Sequence, residues 1–167
     1  MMMLEEHFQL LARYNSLANE KVYEVCSLLS DNERKKVRPA FFKSIHGTLN
    51  HIMVGDRIWM ERFEGKIVPS TNLDAILYEN FDELWTVRRR EDERIEKFVA
   101  GLKEEFLKGT ITYINNAGLV YTDPVTLLMA HFFNHQTHHR GQIHDLLMQT
   151  EIRPPVLDMH RIIIPVP

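Results

Sequence analysis

Five of the chain's nine histidines fall in one short stretch: His131, His135, His138, His139 and His144. On an α-helix, residues four apart stack on one face, a turn apart, so His135 and His139 can grip a single metal ion. His131 lies one further turn along that stripe, His138 shares a flank with it, and His144 points elsewhere. Val125, Leu128 or Met129, Phe132, Ile143 and Leu146 or Leu147 form the apolar stripe of the same segment. Continued through its gap, the stripe reaches His135, Gln136 and His139, which places the pair at or near the core. A buried imidazole with an unsatisfied nitrogen costs about 1–3 kcal/mol, and a shared ion removes that cost. Bonds to backbone or to a carboxylate would remove it too. A metal site needs at least one more donor. His51 is the natural one, because it sits beside an apolar helical stripe, with the small residues Thr48 and Gly55 a turn away leaving room for an ion or substrate. His46 lies on a different face, and His7 and His160 are isolated near the termini.

The elements that must position these residues are long helices. The chain has 167 residues, a size that fits a single domain spanning 1–167, with only seven Gly and seven Pro to interrupt it. Apolar residues at spacings of three and four predict a helix from about Leu4 to Leu29, a second from Phe41 to Phe63 and a third from Asp74 to Gly101. Ser30 to Pro39 reads as a loop. The run from Arg88 to Arg94 alternates blocks of charge and reads as a solvated helix face with local ion pairs. Strand formers at 111–113 and 120–122 around Asn115-Asn116-Ala117-Gly118 predict a short hairpin. Asp123-Pro124 then reads as an N-cap and first helical residue, opening a fourth helix that runs to about Thr150. The apolar tail from Pro154 to Pro167 is expected to cover the domain or a partner. The whole is expected to be all-α: a four-helix bundle in which the connection between the second and third helices could cross the bundle.

The net charge of −3 supplies no basic footprint for nucleic acid. No apolar run is long enough to span a membrane, the N-terminus lacks the pattern of a secretion signal, and the single Cys26 cannot form an internal disulfide. These features fit a cytoplasmic protein that binds neither nucleic acid nor membrane.

The run from His131 to Ile143, with His135, His139, Arg140, Gly141 and Gln142 in it, resembles the C-terminal helix motif of DinB-like proteins. Gly47-Thr48-Leu49-Asn50-His51-Ile52 with Asp56-Arg57-Ile58-Trp59, the first-helix stretch from Ala12 to Asn19, and Pro154-Pro155-Val156-Leu157-Asp158 are similar to that family in the same order. The resemblance implies a four-helix bundle with one long crossover, a homodimer, and one divalent ion, zinc or nickel and sometimes iron, held by His51, His135 and His139. It also points to Tyr14 and Asn15, matching the first-helix pattern, as residues that line the pocket or steady a ligand. His131 and Arg140 flank the histidine pair, and Arg140 with Gln142 could orient an anionic substrate or bridge helices.

Three neutral imidazoles leave a divalent ion its full charge and an open position, which is the style of a catalytic rather than a structural site. Such a position can polarise an oxygen, acidify a water or deprotonate a thiol. Several relatives are thiol-dependent transferases or isomerases, so the leading expectation is thiol transfer to a small electrophile, with a low-molecular-weight thiol as cosubstrate. Metal-dependent hydrolysis is the alternative and needs a general base. Glu20, Glu24 and Asp56 are available, although Asp56 lies about 140° around its helix from His51. A non-enzymatic metal-binding stress protein is the third reading.

Overall fold

The computed structural model describes residues 3–164. In chain order the elements are α1 (Leu4–Ser27), α2 (Asp31–Lys35), α3 (Ile45–Phe63), α4 (Phe81–Ala100), α5 (Glu104–Leu107), β1 (Thr110–Ile114), β2 (Val120–Pro124), α6 (Val125–Leu147) and α7 (Met159–Ile163). The four long helices α1, α3, α4 and α6 build the expected bundle, and the hairpin β1–β2 stands before the last of them. Its strands pair antiparallel, Thr110 opposite Pro124 and Tyr113 opposite Tyr121.

Helix α1 packs on α4 and α6, and α3 on the same two. Side-chain contacts set the directions. Asp56 meets Arg88 and Phe63 meets Phe98, so α3 and α4 run parallel. His51 meets His139 and Trp59 meets His131, so α6 runs against α3. Parallel neighbours cannot be joined by a tight turn, and residues 64–80 must travel the length of the bundle between them. This is the long crossover, and it brings Leu73 and Tyr78 alongside α3.

That path explains why the third helix starts later than the sequence suggests. Residues 74–80 are spent on the crossover, Ile76 and Leu77 stay exposed, and α4 begins at Phe81 after Asn80, whose side chain accepts from the Glu83 N–H at 2.9 Å. α3 likewise starts at Ile45 rather than Phe41. Lys43 takes the left-handed conformation at φ 63°, which ends any helical run there, and Ser44 caps the Gly47 N–H at 2.9 Å. The polar stretch read as a loop contains the single turn α2, started by Ser30. Asp123 is not the cap of α6. It belongs to β2, opposite Ile111, and its carboxylate accepts from the Tyr113 hydroxyl at 2.9 Å, leaving Pro124 at the N-cap. At the other end, Leu157 and Ile162 pack on Tyr14 and Ala18 of α1. The last part of the apolar tail, 165–167, lies outside the described residues.

The core has two apolar halves. Leu49, Met53, Leu84, Ile143 and Leu147 fill one, and Met60, Phe63, Ile95, Met129 and Phe132 fill the other. Between them lies a polar waist. Asp56 accepts from Arg88 at 2.5 Å and from Gln136 at 2.7 Å; Arg88 also pairs with Asp92 at 2.9 Å. Asn19 donates to Asp92 at 2.9 Å, and Arg140 donates to Asn19 at 3.0 Å and to Asn15. The run from Arg88 to Arg94 is therefore not simply a solvated face. Arg88, Glu91 and Asp92 are buried because they continue the inward stripe of Leu84, Ile95 and Val99 at helical spacing.

Candidate metal centre

The antiparallel packing of α3 on α6 places His51 opposite the i,i+4 pair. His51 Nε2 lies 3.2 Å from His135 Nε2 and 3.1 Å from His139 Nε2. One ring nitrogen from each residue falls within 4.8 Å of the others, so the three could hold a metal ion. Tetrahedral zinc with Zn–N bonds of about 2.0–2.1 Å separates its donor nitrogens by about 3.3 Å.

The second nitrogens explain why the Nε2 atoms face inward as acceptors. His51 Nδ1 donates to the Leu73 carbonyl at 2.7 Å, and His139 Nδ1 donates to Gln142 Oε1 at 2.8 Å. Gln142 is itself oriented, its amide donating to His138 Nε2 at 3.1 Å. With the proton held on Nδ1, the Nε2 of both rings presents a lone pair, and lone pairs at this separation repel unless a cation lies among them. Phe42 stacks on His51 with ring centroids 3.7 Å apart, which fixes the ring plane from the far side.

Gly55 provides the room for His135. A Cβ at that position would stand 2.7 Å from His135 Cε1 and 3.3 Å from its Nδ1. Replacing a mid-helix glycine by alanine would normally gain about 1 kcal/mol in helix propensity. Gly55→Ala is expected instead to push the imidazole out of place and weaken zinc binding about 10–100-fold, the scale for disturbing the support of a ligand. Competition with a chromophoric chelator measures this, and unchanged affinity would show that His135 is not held by this contact.

Burial is the main cause that holds His135 down to about 3 and His139 to about 4; it lowers His51 as well, and neighbouring imidazoles add to the effect at His135. In the unfolded chain these groups take protons near 6.5. The folded state thus binds fewer protons below that value. Stability of metal-free protein should be level above about pH 6.5 and fall as pH drops toward the folded values, by on the order of 1.4 kcal/mol per pH unit for each group. Urea unfolding of chelator-treated protein between pH 7.5 and 5 tests this; a flat profile contradicts neutral burial of the cluster.

His131 lies beside the triad, its ring 6.1 Å from His135 and 5.3 Å from Trp59. Tyr14, Asn15 and Arg140 lie on the α1 side of α6. The Tyr14 hydroxyl donates to the Leu157 carbonyl at 2.8 Å, and Asn15 and Arg140 belong to the polar waist. Asp56 is committed to Arg88 and Gln136, and Glu20 to Arg89 and the Trp85 N–H, so neither faces the triad as a base. Cys26 is buried, and burial pushes its thiol up to about 12, which keeps it protonated. Leu73, Phe42 and the orienting role of Gln142 were not read from the sequence. Gln142 had a local signal, standing i+3 from His139 and i+4 from His138; Leu73 and Phe42 had none, because their contacts depend on the crossover and on the turn before α3.

A cleft of about 490 Å³ opens beside the triad, lined by His51, Gly55, Trp59, Leu73, His131 and His135 among others. Among the described residues, no helix is long and apolar enough to cross a membrane. Compared with known proteins, residues 3–164 match the family model described as "DinB family". The chain is 27% identical to Protein DinB of Bacillus subtilis (strain 168) over 143 residues, 83% of each chain. A crystal structure of a DinB-like protein from Bacillus cereus ATCC 10987 superposes with a TM-score of 0.63 at 17% identity, covering 83% of this chain and 89% of that one. That likeness concerns the fold.

Proposed function

This chain belongs to the DinB family, and we propose that it is a divalent-metal-dependent transferase or isomerase that joins a low-molecular-weight thiol to a small electrophile. The observation that carries the reading is the donor set: three converging imidazoles, His51 and His139 with their Nε2 lone pairs turned inward, beside a cleft and, among the described residues, without a fourth side-chain ligand. Zinc, nickel or iron bound there would supply a Lewis acid with an open position, able to hold a thiol as its thiolate.

The residues favour thiol chemistry over hydrolysis. Activating a water calls for a general base within hydrogen-bond reach. The cleft lining contains no carboxylate, and Asp56 and Glu20 are bound elsewhere. His131 is the lining imidazole outside the triad and can take a proton from a thiol or from a water; the thiol needs that help less, because a divalent ion deprotonates a coordinated thiol outright. Trp59 and Ile58 offer an apolar wall for the electrophile. The polar waist keeps α6 in register with α1 and α4, and so holds His135 and His139 toward α3. A homodimer belongs to the same reading, and light scattering checks it.

The test is turnover. Zinc- and nickel-loaded protein is incubated with monobromobimane and each of bacillithiol, mycothiol and glutathione. One thiol is expected to react at least about 100-fold faster than with metal-free protein, the lower range for one positioned catalytic contribution. Metal-dependent turnover of ester or amide substrates without any thiol would favour hydrolysis. Metal-replete protein inert in both assays would favour a metal-binding role in stress response.

A further inference from the structure

Arg62 stands at the far end of the cleft from the triad, and its charge has no carboxylate partner among the described residues. Two arginines of α4 do: Arg88 has Asp56 and Asp92, and Arg94 has Glu64 and Glu91; the fully buried Arg140 of α6 is received by Asn15, Asn19 and Thr137 instead. The Arg62 guanidinium is clamped between two rings, 4.7 Å from the centre of Trp59 and 4.5 Å from that of Tyr113. Of its five N–H groups, one is used within the fold: Nη2 donates to the Ile114 carbonyl at 3.0 Å. Its Nε is buried with no acceptor. Arg62 is half-buried: its Nε is out of water without an acceptor, while the rest of a guanidinium oriented by two rings has no carboxylate beside it, an arrangement that suits an incoming anion.

The rest of the cleft agrees in sign. Its lining holds this one arginine, neutral imidazoles and asparagines, apolar walls and no carboxylate. We propose that the cleft is a binding site for an elongated carboxylate-bearing small molecule, its carboxylate at Arg62 and its apolar body along Trp59. A carboxylate suits the site better than a phosphate, which gathers several donors at once; here one guanidinium shares the lining with the neutral Asn115 and Asn116. The guanidinium lies beside the Trp59 ring, and Trp59 is eight residues or roughly 12 Å along α3 from His51. A ligand of that length with a thiol at its other end reaches the triad. That thiol end rests on the metal reading above; the carboxylate end does not.

The test uses a Trp85→Phe background, in which Trp59 is the fluorescent reporter, and probes of matched length. Octanoate should bind metal-free protein at least tenfold more tightly than 1-octanol. In zinc-loaded protein, 8-mercaptooctanoate should bind more tightly than octanoate and than 8-mercapto-1-octanol. Arg62→Gln should abolish the preference for the acid, and Arg62→Lys should keep part of it. Asn115→Asp, whose carboxylate still accepts from the Ala117 and Leu119 N–H groups, should weaken octanoate at least threefold without touching Arg62, which keeps the proposal open to test if Arg62→Gln fails to fold. Equal binding of acid and alcohol, or a preference that survives Arg62→Gln, overturns the carboxylate site. A preference for the acid to which the thiol adds nothing in zinc-loaded protein leaves this site standing and counts against the metal reading.

Discussion

Replacing His135 and His139 together by alanine is expected to take bound metal from about one ion per chain to none while the helical fold remains. Elemental analysis of natively purified protein reads the stoichiometry, and far-ultraviolet circular dichroism reads the fold. The physical basis is the convergence of three Nε2 atoms within coordination distance of one point. Removing two leaves His51 alone, and a single imidazole does not retain an ion through purification. The same site should be visible as stability. An ion present at a thousandfold excess over its dissociation constant stabilises the native state by about 4 kcal/mol. For a chain of this length that corresponds to a Tm rise of roughly 10 °C. Zinc should give this rise in wild-type protein and none in the double variant. Wild-type protein that holds no metal after reconstitution, and whose Tm zinc leaves unmoved, would end the metal reading.

Asp56→Ala is expected to be the most destabilising single substitution in the polar waist. Asp56 is fully buried and accepts from both Arg88 and Gln136. Its removal strands the Arg88 guanidinium next to Asp92 alone and leaves the Gln136 amide without its acceptor. Breaking one side of a buried ion pair costs about 3–5 kcal/mol, again roughly 10 °C in Tm. Asp56→Asn keeps an acceptor of the same shape and should lose less. Adding Arg88→Met to Asp56→Leu should recover little of the loss, because it leaves the buried Asp92 carboxylate with only the neutral Asn15 and Asn19 as hydrogen-bond partners. A loss below about 1 kcal/mol for Asp56→Ala would mean that water reaches Arg88 and that the waist is not sealed. Gln136 lies between His135 and His139 on α6, so metal affinity measured on Asp56→Asn also reads how far the waist steadies the triad.

The helices were legible because their cores repeat every three to four residues and few glycines or prolines interrupt them. The histidine pair was legible for the same reason, since i,i+4 spacing is a local property that survives any tertiary arrangement. Errors came where a nonlocal demand overrode local pattern. Ile76 and Leu77 continue an apolar rhythm, yet parallel α3 and α4 require those residues for the crossover. Asp123-Pro124 has the chemistry of a helix start, yet the hairpin ladder takes both residues. Arg88 and Asp92 have the composition of a surface, yet their positions on the stripe with Leu84 and Ile95 turn them inward, where Asp56 and Asn19 receive them.

By itself the sequence determined that long helices form, that His135 and His139 share a face, and that His51 sits mid-helix beside an apolar stripe. It carried enough of the DinB pattern to place the chain in that family. The tertiary structure alone decided that His51 meets the pair through its Nε2, since this depends on α3 running against α6. It also decided which nitrogen each ring presents, because Leu73 arrives from the crossover to hold the His51 proton. And, among the described residues, it left Arg62 without a carboxylate while Arg88 received two. Spacing along one helix fixes direction around that helix; which charges meet is set by how helices distant in sequence pack, and no local pattern encodes that.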